Sequence, residues 1–305
     1  METKLMEYIL SIDKHRSISR AAEELYLTQS ALNQQLLKLE RDLGAPLFIR
    51  TRNHWELTEI GELYVENAKE ILQIKRQTYK QIEDMAKRWN QTITIGLTPE
   101  RGIQMFTAIY PKIHAMYPET IFQPVEESVE AQIKLLDTNQ LDFCFQTIYE
   151  RKYKHLIYDT ILYEPFYLCV PNSHRLAYHE HLEPEQYPEI SLREFKDDLF
   201  TLVRKSSTMR DVLDKLFEKA GFKPKLLFES ISMRTMQQLA KSGECCSIIP
   251  RFYAVETDDV SYFTLGPNAS WELATVHAQN HYLNSAARDF IRLASDYWKT
   301  HLYIE

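Results

Sequence analysis

Between Gly61 and Gly96 the chain contains neither glycine nor proline, and the part of this stretch up to about Arg88 constrains the fold most. From Thr58 onward, apolar residues recur at roughly three- and four-residue steps, which is the spacing of one face of an α-helix. The residues on this face are Ile60, Leu63, Asn67, Ile71, Ile74, Thr78, Ile82 and Met85. Apart from the polar Asn67 and Thr78, they resemble a short coiled-coil seam. A lone helix of this kind would be poorly soluble, so the sequence predicts a linker helix at 59–90 that pairs with a second subunit.

The residues before this helix predict a set of short helices. Met1 to Asp13 has apolar residues at helical spacing, and Ser17 is a candidate N-cap for an alanine-containing helix that follows. Thr28 or Ser30 is the candidate N-cap of the next helix, which we expect to end at Gly44.

The outward face of this last helix is polar and carries amides that can hydrogen-bond to base edges and phosphates. The segment from Leu47 to Thr58 predicts two short strands around a turn at 52–54. A hairpin directly after such a helix is a wing, and its arginines can contact phosphates or the minor groove. Because any solvent-exposed helix can have a polar face, the wing is what favours DNA binding. The candidate DNA-binding residues are Thr28, Gln29, Ser30, Asn33, Gln34, Gln35, Lys38, Arg50 and Arg52.

The same region resembles the DNA-binding domain of LysR-type transcriptional regulators. The resemblance is carried, in order, by Ser19–Ala22, Leu27–Leu32, Gln35–Leu36, Leu39–Glu40, Leu43–Gly44, Leu47–Phe48, Arg50, Leu57–Thr58 and Gly61. It implies a winged helix-turn-helix at 1–58 and a dimerising linker that spaces recognition helices about 34–36 Å apart, or a multiple, along double-stranded promoter DNA. Asn33 stands where the family commonly has serine, and Gln34 where it often has arginine or glutamine. The base sequence that this helix recognises therefore stays open.

The charge distribution does not by itself favour nucleic acid. The net charge is −7, and residues 1–90 hold 14 basic and 14 acidic residues, which leaves 22 against 29 for the rest of the chain. The acidic part thus lies C-terminal to the linker. The case for DNA depends on the local cluster of Lys38, Arg41, Arg50 and Arg52.

From Gln91 the pattern changes to strands that alternate with helices, which is typical of parallel α/β sheets. We expect strands at 92–97, 121–125, 141–145, 165–170, 199–203, 225–229, 246–250 and 271–278. Thr98 is the expected N-cap of a helix with Pro99 at its first position, while Ser128 and Ser232 are expected to cap two further helices. A helix that starts at 206–211 should end near Gly221, and a final helix at 285–297 should pack on the first lobe.

This body is similar to the two-lobed effector domain of the same family, whose fold resembles periplasmic solute-binding proteins. The resemblance implies an α+β protein overall, with an effector-binding domain at 91–305. Lobe I would span about 91–161 and 268–305, and lobe II about 162–267. A small-molecule effector would bind between the lobes, change how the subunits of a dimer or tetramer are arranged, and so alter the contact with the promoter or with RNA polymerase.

Strand-to-helix turns line the cleft in such a domain, and their free N–H groups and positive dipole ends favour small anions. The candidate effector-binding residues are Thr98, Ser128, Thr147, Ser206, Ser207 and Thr208. Each of them could instead only cap a helix, which requires no ligand.

The other function classes receive less support. The histidines have no metal-ligand spacing and no catalytic set is visible, so we expect neither an enzyme nor a metal or other cofactor. Four cysteines, of which Cys245 and Cys246 are adjacent, are expected to be buried in a reducing cytosol; a cysteine-based redox sensor is the alternative. The N-terminus does not resemble a secretory signal and no apolar run would cross a bilayer, which indicates a cytoplasmic protein with no membrane partner and disfavours a solute-binding transport protein.

Overall fold

A computed structural model describes residues 3–50, 55–86, 91–255 and 257–302. The chain divides into two compact units, 1–88 and 89–305. Among the described residues, none of the helices combines the length and the apolar character that a membrane span requires.

The first unit contains α1 (Thr3–His15), α2 (Ile18–Glu24), α3 (Gln29–Leu43), β1 (Phe48–Arg50), β2 (Trp55–Leu57) and α4 (Glu59–Met85). The predicted caps are confirmed. Ser17 Oγ accepts from the backbone N of Arg20, and Thr28 rather than Ser30 caps α3. Gly44 ends α3 in the left-handed region, with φ +72°. The two strands pair antiparallel, and the predicted turn at 52–54 lies outside the described residues.

A small apolar core holds α1 to α3 and the hairpin together, with Ile9, Ile12, Leu32, Leu36 and Leu47 each almost fully buried. The start of α4 packs directly on the chain before β1. A Cβ added at Gly61 would lie 2.0 Å from the carbonyl oxygen of Leu47. Glycine is therefore required at this position for the two backbones to approach so closely.

The long helix α4 has two apolar faces, of which the sequence pattern indicated one. The predicted face is largely exposed: Ile60, Leu63, Ile74, Ile82 and Met85 are each about half or more exposed, and we call these residues the α4 seam. The polar residues on that face bond to their own helix, Asn67 Nδ2 to the oxygen of Leu63 and Thr78 Oγ1 to that of Ile74.

The second face of α4 was not predicted. Val65, Ala68 and Leu72 are buried, and the last two pack with Met6 of α1. Ile71, predicted as part of the exposed face, is partly buried beside this cluster. One side of α4 thus anchors the helix to its own subunit, and the other side remains uncovered.

The described residues of the second unit form one sheet of nine strands with helices packed on it. Its elements are β3 (Thr92–Leu97), α5 (Arg101–Met116), β4 (Ile121–Glu126), α6 (Val129–Asp137), β5 (Phe143–Ile148), β6 (Leu156–Pro171), β7 (Leu199–Val203), α7 (Thr208–Ala220), β8 (Lys225–Ser230), α8 (Met233–Lys241), β9 (Cys246–Pro250), β10 (Val260–Thr264), β11 (Ser270–Ala278) and α9 (Ser285–Leu302). The strands lie in the order β4-β3-β5-β11-β6-β9-β7-β8, and β10 also pairs with β6.

The parallel pairing expected from the alternation of strands and helices holds only at the two ends of the sheet. β3 is parallel to β4 and β5, and β7 is parallel to β8 and β9. In the middle, β6 is antiparallel to β11 as far as Pro165 and then to β9 from Phe166. The first half of β6 and all of β10 were not predicted from the sequence.

This change of partner along β6 separates two halves with their own cores. Lobe I comprises β3 to β5, β11, the first part of β6 and α5, α6 and α9; lobe II comprises the remainder of β6, β7 to β10, α7 and α8. Phe143, Phe290 and Trp298 are central to the core of lobe I. Phe166, Phe200 and Leu213 are central to that of lobe II. As predicted, α9 packs on the first lobe.

Two local predictions in this unit are wrong. Thr98 does not cap α5, and Pro99 is not its first residue: the N-cap is Glu100, with φ +62° and ψ −82°, and Arg101 N donates to the oxygen of Pro99 at 2.9 Å. The chain makes a tight γ-turn before the helix begins, and the side chain of Arg101, the first residue of the helix, is buried. Thr147 is not in a strand-to-helix turn but lies within β5, opposite Leu273 of β11.

Candidate functional site

The polar face of α3 is the first candidate site. Leu32 and Leu36 are fully buried, so the opposite side of the helix is turned outward. The predicted residues on α3 and at its N-cap are exposed, apart from the partly buried Asn33; they are Thr28, Gln29, Ser30, Asn33, Gln34, Gln35 and Lys38. The start of the helix is held by neighbours, because Ser19 Oγ donates to Gln29 Oε1 at 3.1 Å and the hydroxyls of Thr28 and Ser30 are 3.2 Å apart.

Further along α3, Gln34, Gln35 and Lys38 are available to a partner. Their side chains form no hydrogen bond or ion pair with any other residue that the structure describes. An exposed row of amide groups and one ammonium group, displayed on a helix followed by a hairpin, can form hydrogen bonds to base edges and phosphates.

Arg50 differs from these residues because its guanidinium is engaged inside the unit. Nη2 pairs with Glu40 Oε2, and the guanidinium carbon lies 5.1 Å from the centre of the Trp55 ring. Glu40 is 9% exposed and also accepts from the backbone N of Leu47 at 2.8 Å. Arg50 therefore ties the hairpin to the end of α3, whereas Arg52 lies outside the described residues.

A cluster between α1 and α2, centred on Glu24, was missed by the sequence analysis. Its carboxylate accepts from Ser11 Oγ at 2.5 Å and from Lys14 Nζ, and it lies 3.0 Å from His15 Nε2. These contacts, chiefly that of Lys14, lower the pKa of Glu24 to about 2. The cluster joins the two helices on which α3 rests.

The second candidate site is a cavity of about 480 Å³ between the lobes, which we call the hydroxyl-lined cavity. All the predicted effector residues line it, although they come from different parts of the chain: Thr98, Ser128, Thr147, Ser206, Ser207 and Thr208. Ser230 and Ser232 add further hydroxyls, and Pro99, Val203, Ile231, Met233 and Trp271 add apolar surface. The charged residues of the wall are Glu100, Arg101, Glu130 and Arg204, and the sequence analysis selected none of them.

Helix capping accounts for some of these hydroxyls and not for others. Ser128 Oγ accepts from Ala131 N at 3.3 Å and Ser232 Oγ from Thr235 N at 3.3 Å, so each caps its own helix. Ser207 and Glu100 are the N-caps of α7 and α5, but their side chains form no capping hydrogen bond. The cavity is thus bordered by one helix from each lobe whose N-terminal N–H groups lack a side-chain cap. Such ends favour a negatively charged group.

Exposed polar contacts join the lobes at this cleft. Ser232 Oγ of lobe II donates to Glu100 Oε1 of lobe I at 3.1 Å. Lys215 Nζ lies 3.1 Å from Glu150 Oε1 and 4.4 Å from the centre of the Tyr149 ring. Both contacts are exposed enough to be exchanged for contacts with water or a ligand.

A second cavity of about 590 Å³ adjoins the first, with which it shares Val129, Glu130, Thr147, Ser206 and Thr208. We call it the charged cavity. It is lined by the acidic residues Glu130, Glu150, Asp211, Asp214 and Glu218 and by the basic residues Lys152, Lys205 and Lys215. Acidic residues outnumber basic ones in the charged cavity, whereas Glu100 and Glu130 are balanced by Arg101 and Arg204 in the hydroxyl-lined cavity. An anion is therefore better accommodated in the hydroxyl-lined cavity.

The cysteines do not form a reactive site. All four are buried and free. Burial raises the pKa of Cys169 to about 12 and also raises those of Cys144, Cys245 and Cys246. Because the thiolate is the reactive form, these environments do not favour oxidation by peroxide. Among the described residues, no group of three or more His, Cys, Asp or Glu side chains is placed to hold a metal ion.

Comparison with known proteins identifies both units. Residues 3–62 match the family model for the bacterial regulatory helix-turn-helix protein, lysR family, and residues 86–299 match the LysR substrate binding domain. The chain is 25% identical to the uncharacterized HTH-type transcriptional regulator YcgK of Bacillus subtilis, over 97% of this chain and 94% of that protein. It is 24% identical to the DNA-binding transcriptional dual regulator OxyR of Escherichia coli, over 82% of this chain and 79% of that protein.

Solved structures agree with this fold. A full-length OxyR variant from Pseudomonas aeruginosa superposes with a TM-score of 0.66 at 19% identity, over 98% of this chain and 95% of the other. Full-length CbnR complexed with its target DNA superposes with a TM-score of 0.51 at 18% identity, over 97% of this chain and 100% of the other.

Proposed function

The chain belongs to the LysR family of bacterial transcriptional regulators, and on that basis we propose a role for each of its domains. The winged helix-turn-helix at 1–58 binds promoter DNA, the linker helix at 59–90 pairs two subunits, and the domain at 91–305 binds a small effector that modulates promoter binding. The observation that carries this proposal is the exposed amide-rich face of α3, followed by a hairpin, in the same chain as an interlobe cavity.

In the DNA-binding step, α3 lies in the major groove. Gln29, Asn33 and Gln34 contact base edges, and Lys38 contacts a phosphate. Thr28, Ser30 and Gln35 complete the same face, and Arg52, which lies outside the described residues, is proposed as a further DNA contact. Arg50 acts by holding the wing in place through Glu40, which makes it a positioning residue.

The α4 seam supports self-association. Its exposed apolar side chains run along the helix on the side away from the buried Val65, Ala68 and Leu72. Covering this surface with the same helix of a second subunit removes it from water and produces a dimer with two recognition helices. Pairing of dimers into tetramers, contact with RNA polymerase and a cytoplasmic location are further parts of the proposal.

The effector is proposed to be a small anion. The uncapped N-termini of α5 and α7 border the hydroxyl-lined cavity, and Arg204 stands on its wall at the start of the turn into α7. A ligand that binds residues of both lobes changes their relative position, and this change is transmitted through the dimer to the DNA.

The DNA-binding part is tested by fluorescence anisotropy with labelled duplex from the region upstream of the gene. We expect salt-dependent binding that weakens in Lys38→Ala, with a salt slope reduced by about one. Lys219→Ala, which removes an exposed lysine of α7, is the control and should bind like the wild type. Failure of the full-length protein to bind this duplex at low salt would remove the proposal.

The effector part is tested by thermal unfolding of the full-length protein with a library of anionic metabolites. A ligand of this site raises the melting temperature, and Thr98→Val and Ser128→Ala should reduce the shift. A shift that is the same in both variants and in the wild type places the ligand elsewhere.

A further inference from the structure

The first residue of α5, Arg101, is a buried cation in the wall of the hydroxyl-lined cavity. It is 4% exposed, and its Nη1 donates to Glu164 Oε2 at 2.6 Å. Glu164 is fully buried and also accepts from Trp271 Nε1 at 2.6 Å and from the backbone N of Phe252 at 2.9 Å. The carboxylate of Glu164 is thus fixed from several sides, and it fixes one nitrogen of Arg101.

The other two nitrogens of the Arg101 guanidinium do not use their hydrogen-bond donors within the described residues. Nε and Nη2 are both buried, and neither has an acceptor among the residues that the structure describes. The groups around the guanidinium are aromatic rings: its carbon lies 4.6 Å from the centre of the Trp298 ring, 5.2 Å from Phe252 and 5.6 Å from Trp271. Ring faces attract a cation but satisfy N–H donors poorly, and buried donors without acceptors are costly.

Nε and Nη2 form one edge of the guanidinium, with two N–H bonds that point in nearly the same direction. This edge matches the two oxygens of a carboxylate. Glu164 occupies a different nitrogen, so it orients the edge without covering it. Glu100, the nearest acid in sequence, hydrogen-bonds instead to Ser232 of lobe II.

The backbone next to Arg101 is strained as well. Glu100 has φ +62° and ψ −82° at the centre of the γ-turn closed by Arg101 N and the oxygen of Pro99, a conformation that non-glycine residues rarely adopt. Two unfavourable features therefore fall on adjacent residues in the wall of the same cavity. Strain and unsatisfied donors that coincide in this way are typical of ligand-binding sites.

We propose that the Nε–Nη2 edge of Arg101 binds a carboxylate of the effector, and that the effector is a small carboxylic acid with an apolar body. This inference rests on the proposed function and names the class of effector. The apolar body packs against Pro99, Val203, Ile231 and Met233 on the same cavity wall. Arg101 is almost fully buried in this structure, so the carboxylate reaches it when a neighbouring group moves, and Trp271 of the cavity wall is the nearest such ring that lines the cavity.

Binding of a carboxylate to Arg101 would therefore affect residues at the junction of the two lobes. Trp271 of β11 pairs with Glu164 of β6 immediately before β6 leaves lobe I at Pro165 and Phe166. Phe252 follows β9 of lobe II and also packs on the core of lobe I. A carboxylate on Arg101 therefore acts on the residues that connect the two lobes, and a neutral ligand elsewhere in the cavity does not.

The test compares acids with their neutral amides in thermal unfolding and calorimetric titration of the full-length protein. The probes are isovalerate and isovaleramide, and phenylacetate and phenylacetamide. At least one acid should raise the melting temperature of the wild type, and its amide should bind at least tenfold more weakly. In Arg101→Lys, which keeps the charge beside Glu164 but lacks the two-donor edge, the acid should bind at least tenfold more weakly. Arg234→Lys, a change at an exposed arginine of α8, is the matched control and should bind the acid as the wild type does.

If Arg101→Lys does not fold, the double variant Arg101→Met with Glu164→Gln replaces it, because removing both charges leaves no unpaired ion in the core and the glutamine oxygen still accepts a hydrogen bond from Trp271 or Phe252. The inference is overturned if neither acid binds the wild type, if amides bind as well as acids, or if the acid binds the folded variant with unchanged affinity. The proposed function is judged separately by anisotropy with promoter DNA in the absence of any probe, so either can fail without the other.

Discussion

Replacement of Arg50 by alanine distinguishes a residue that holds the wing from a residue that contacts DNA. Arg50 is paired with Glu40, whose side chain is only 10% exposed, and it lies over the ring of Trp55. The substitution leaves the Glu40 carboxylate with Leu47 N as its remaining hydrogen-bond donor among the described residues. We therefore expect Arg50→Ala to destabilise the first unit before it affects any contact with DNA.

The magnitude follows from the two interactions that are lost. A hydrogen bond to a charged group in a partly buried position contributes about 1.5–3 kcal/mol, and a cation over an aromatic ring about 0.5–1 kcal/mol. Together they predict a loss of about 2–4 kcal/mol in the free energy of unfolding of the first unit. Glu40→Gln should lose less, because the amide oxygen still accepts from Leu47 N.

Hydrogen–deuterium exchange of the full-length protein measures this effect locally. Peptides that contain β1 and the end of α3 should exchange faster in Arg50→Ala, while peptides from the second unit should not change. DNA anisotropy over a series of salt concentrations gives the complementary result. Affinity should fall at every salt concentration, and the slope of log K against log salt should stay the same, because no phosphate contact has been removed.

The opposite pattern would refute this reasoning. Unchanged exchange at β1 together with a salt slope reduced by about 0.9 would mean that Arg50 contacts a phosphate directly. The double variant Arg50→Ala with Glu40→Gln provides a further check, since the two single losses should not add if the side chains act as a pair.

The remaining predictions concern other named contacts. Gly61→Ala should destabilise the first unit by more than about 3 kcal/mol in thermal unfolding, because its Cβ would meet the oxygen of Leu47. Gly44→Ala, which has open space around it, should destabilise the unit by about 1 kcal/mol because of its positive φ. Glu24→Gln should reduce the loss of stability in acid. The pKa of Glu24 is about 2 in the fold against 4.5 when unfolded, so the ionised carboxylate stabilises the fold above pH 4.5, and this contribution is lost as pH falls from 4.5 towards 2. The expected contribution at neutral pH is about 1 kcal/mol or less, because the side chain is partly exposed. Ile74→Glu in the α4 seam should shift the protein towards monomer in sedimentation analysis and lower its DNA affinity, without loss of helix content by circular dichroism; an unchanged dimer would exclude the seam as the interface. Peroxide should not alter the DNA footprint, and the thiols should react with Ellman's reagent at pH 8 only upon denaturation, because burial raises their pKa values.

The parts of the fold that could be predicted from the sequence are those whose structure depends on residues close together in the chain. Thr28 and Gly44 bound α3 through a side-chain cap and a left-handed residue, and both depend on residue types within a few positions. The same holds for the strands at 92–97 and 246–250, which are short apolar runs with clear ends. The first half of β6 was missed because Asp159, Thr160 and Glu164 interrupt its apolar residues without a regular alternation. Its pairing partner also lies more than a hundred residues away, in β11.

The residues of the candidate site also differ in whether the sequence alone could identify them. Hydroxyl residues could be selected from the sequence as residues near helix starts, which is wrong for Thr147, and the fold brings all of them together around one cavity. Arg101 could not be selected, because what distinguishes it is a partner 63 residues away and the rings of three separate elements. Arg50 was selected for its charge, but the pairing with Glu40 that defines its role appears only when β1 packs beside α3.

The path of β6 also determines how the second unit can deform. Its sixteen residues pass from one lobe to the other as a single strand, paired with β11 on the first stretch, with one irregularity at Ile161, and with β9 and β10 on the second. A connection of this kind resists bending, since bending would open backbone hydrogen bonds, but it tolerates a change of twist along the strand. We therefore expect the lobes to rotate relative to each other about the axis of β6 rather than to open by a hinge motion.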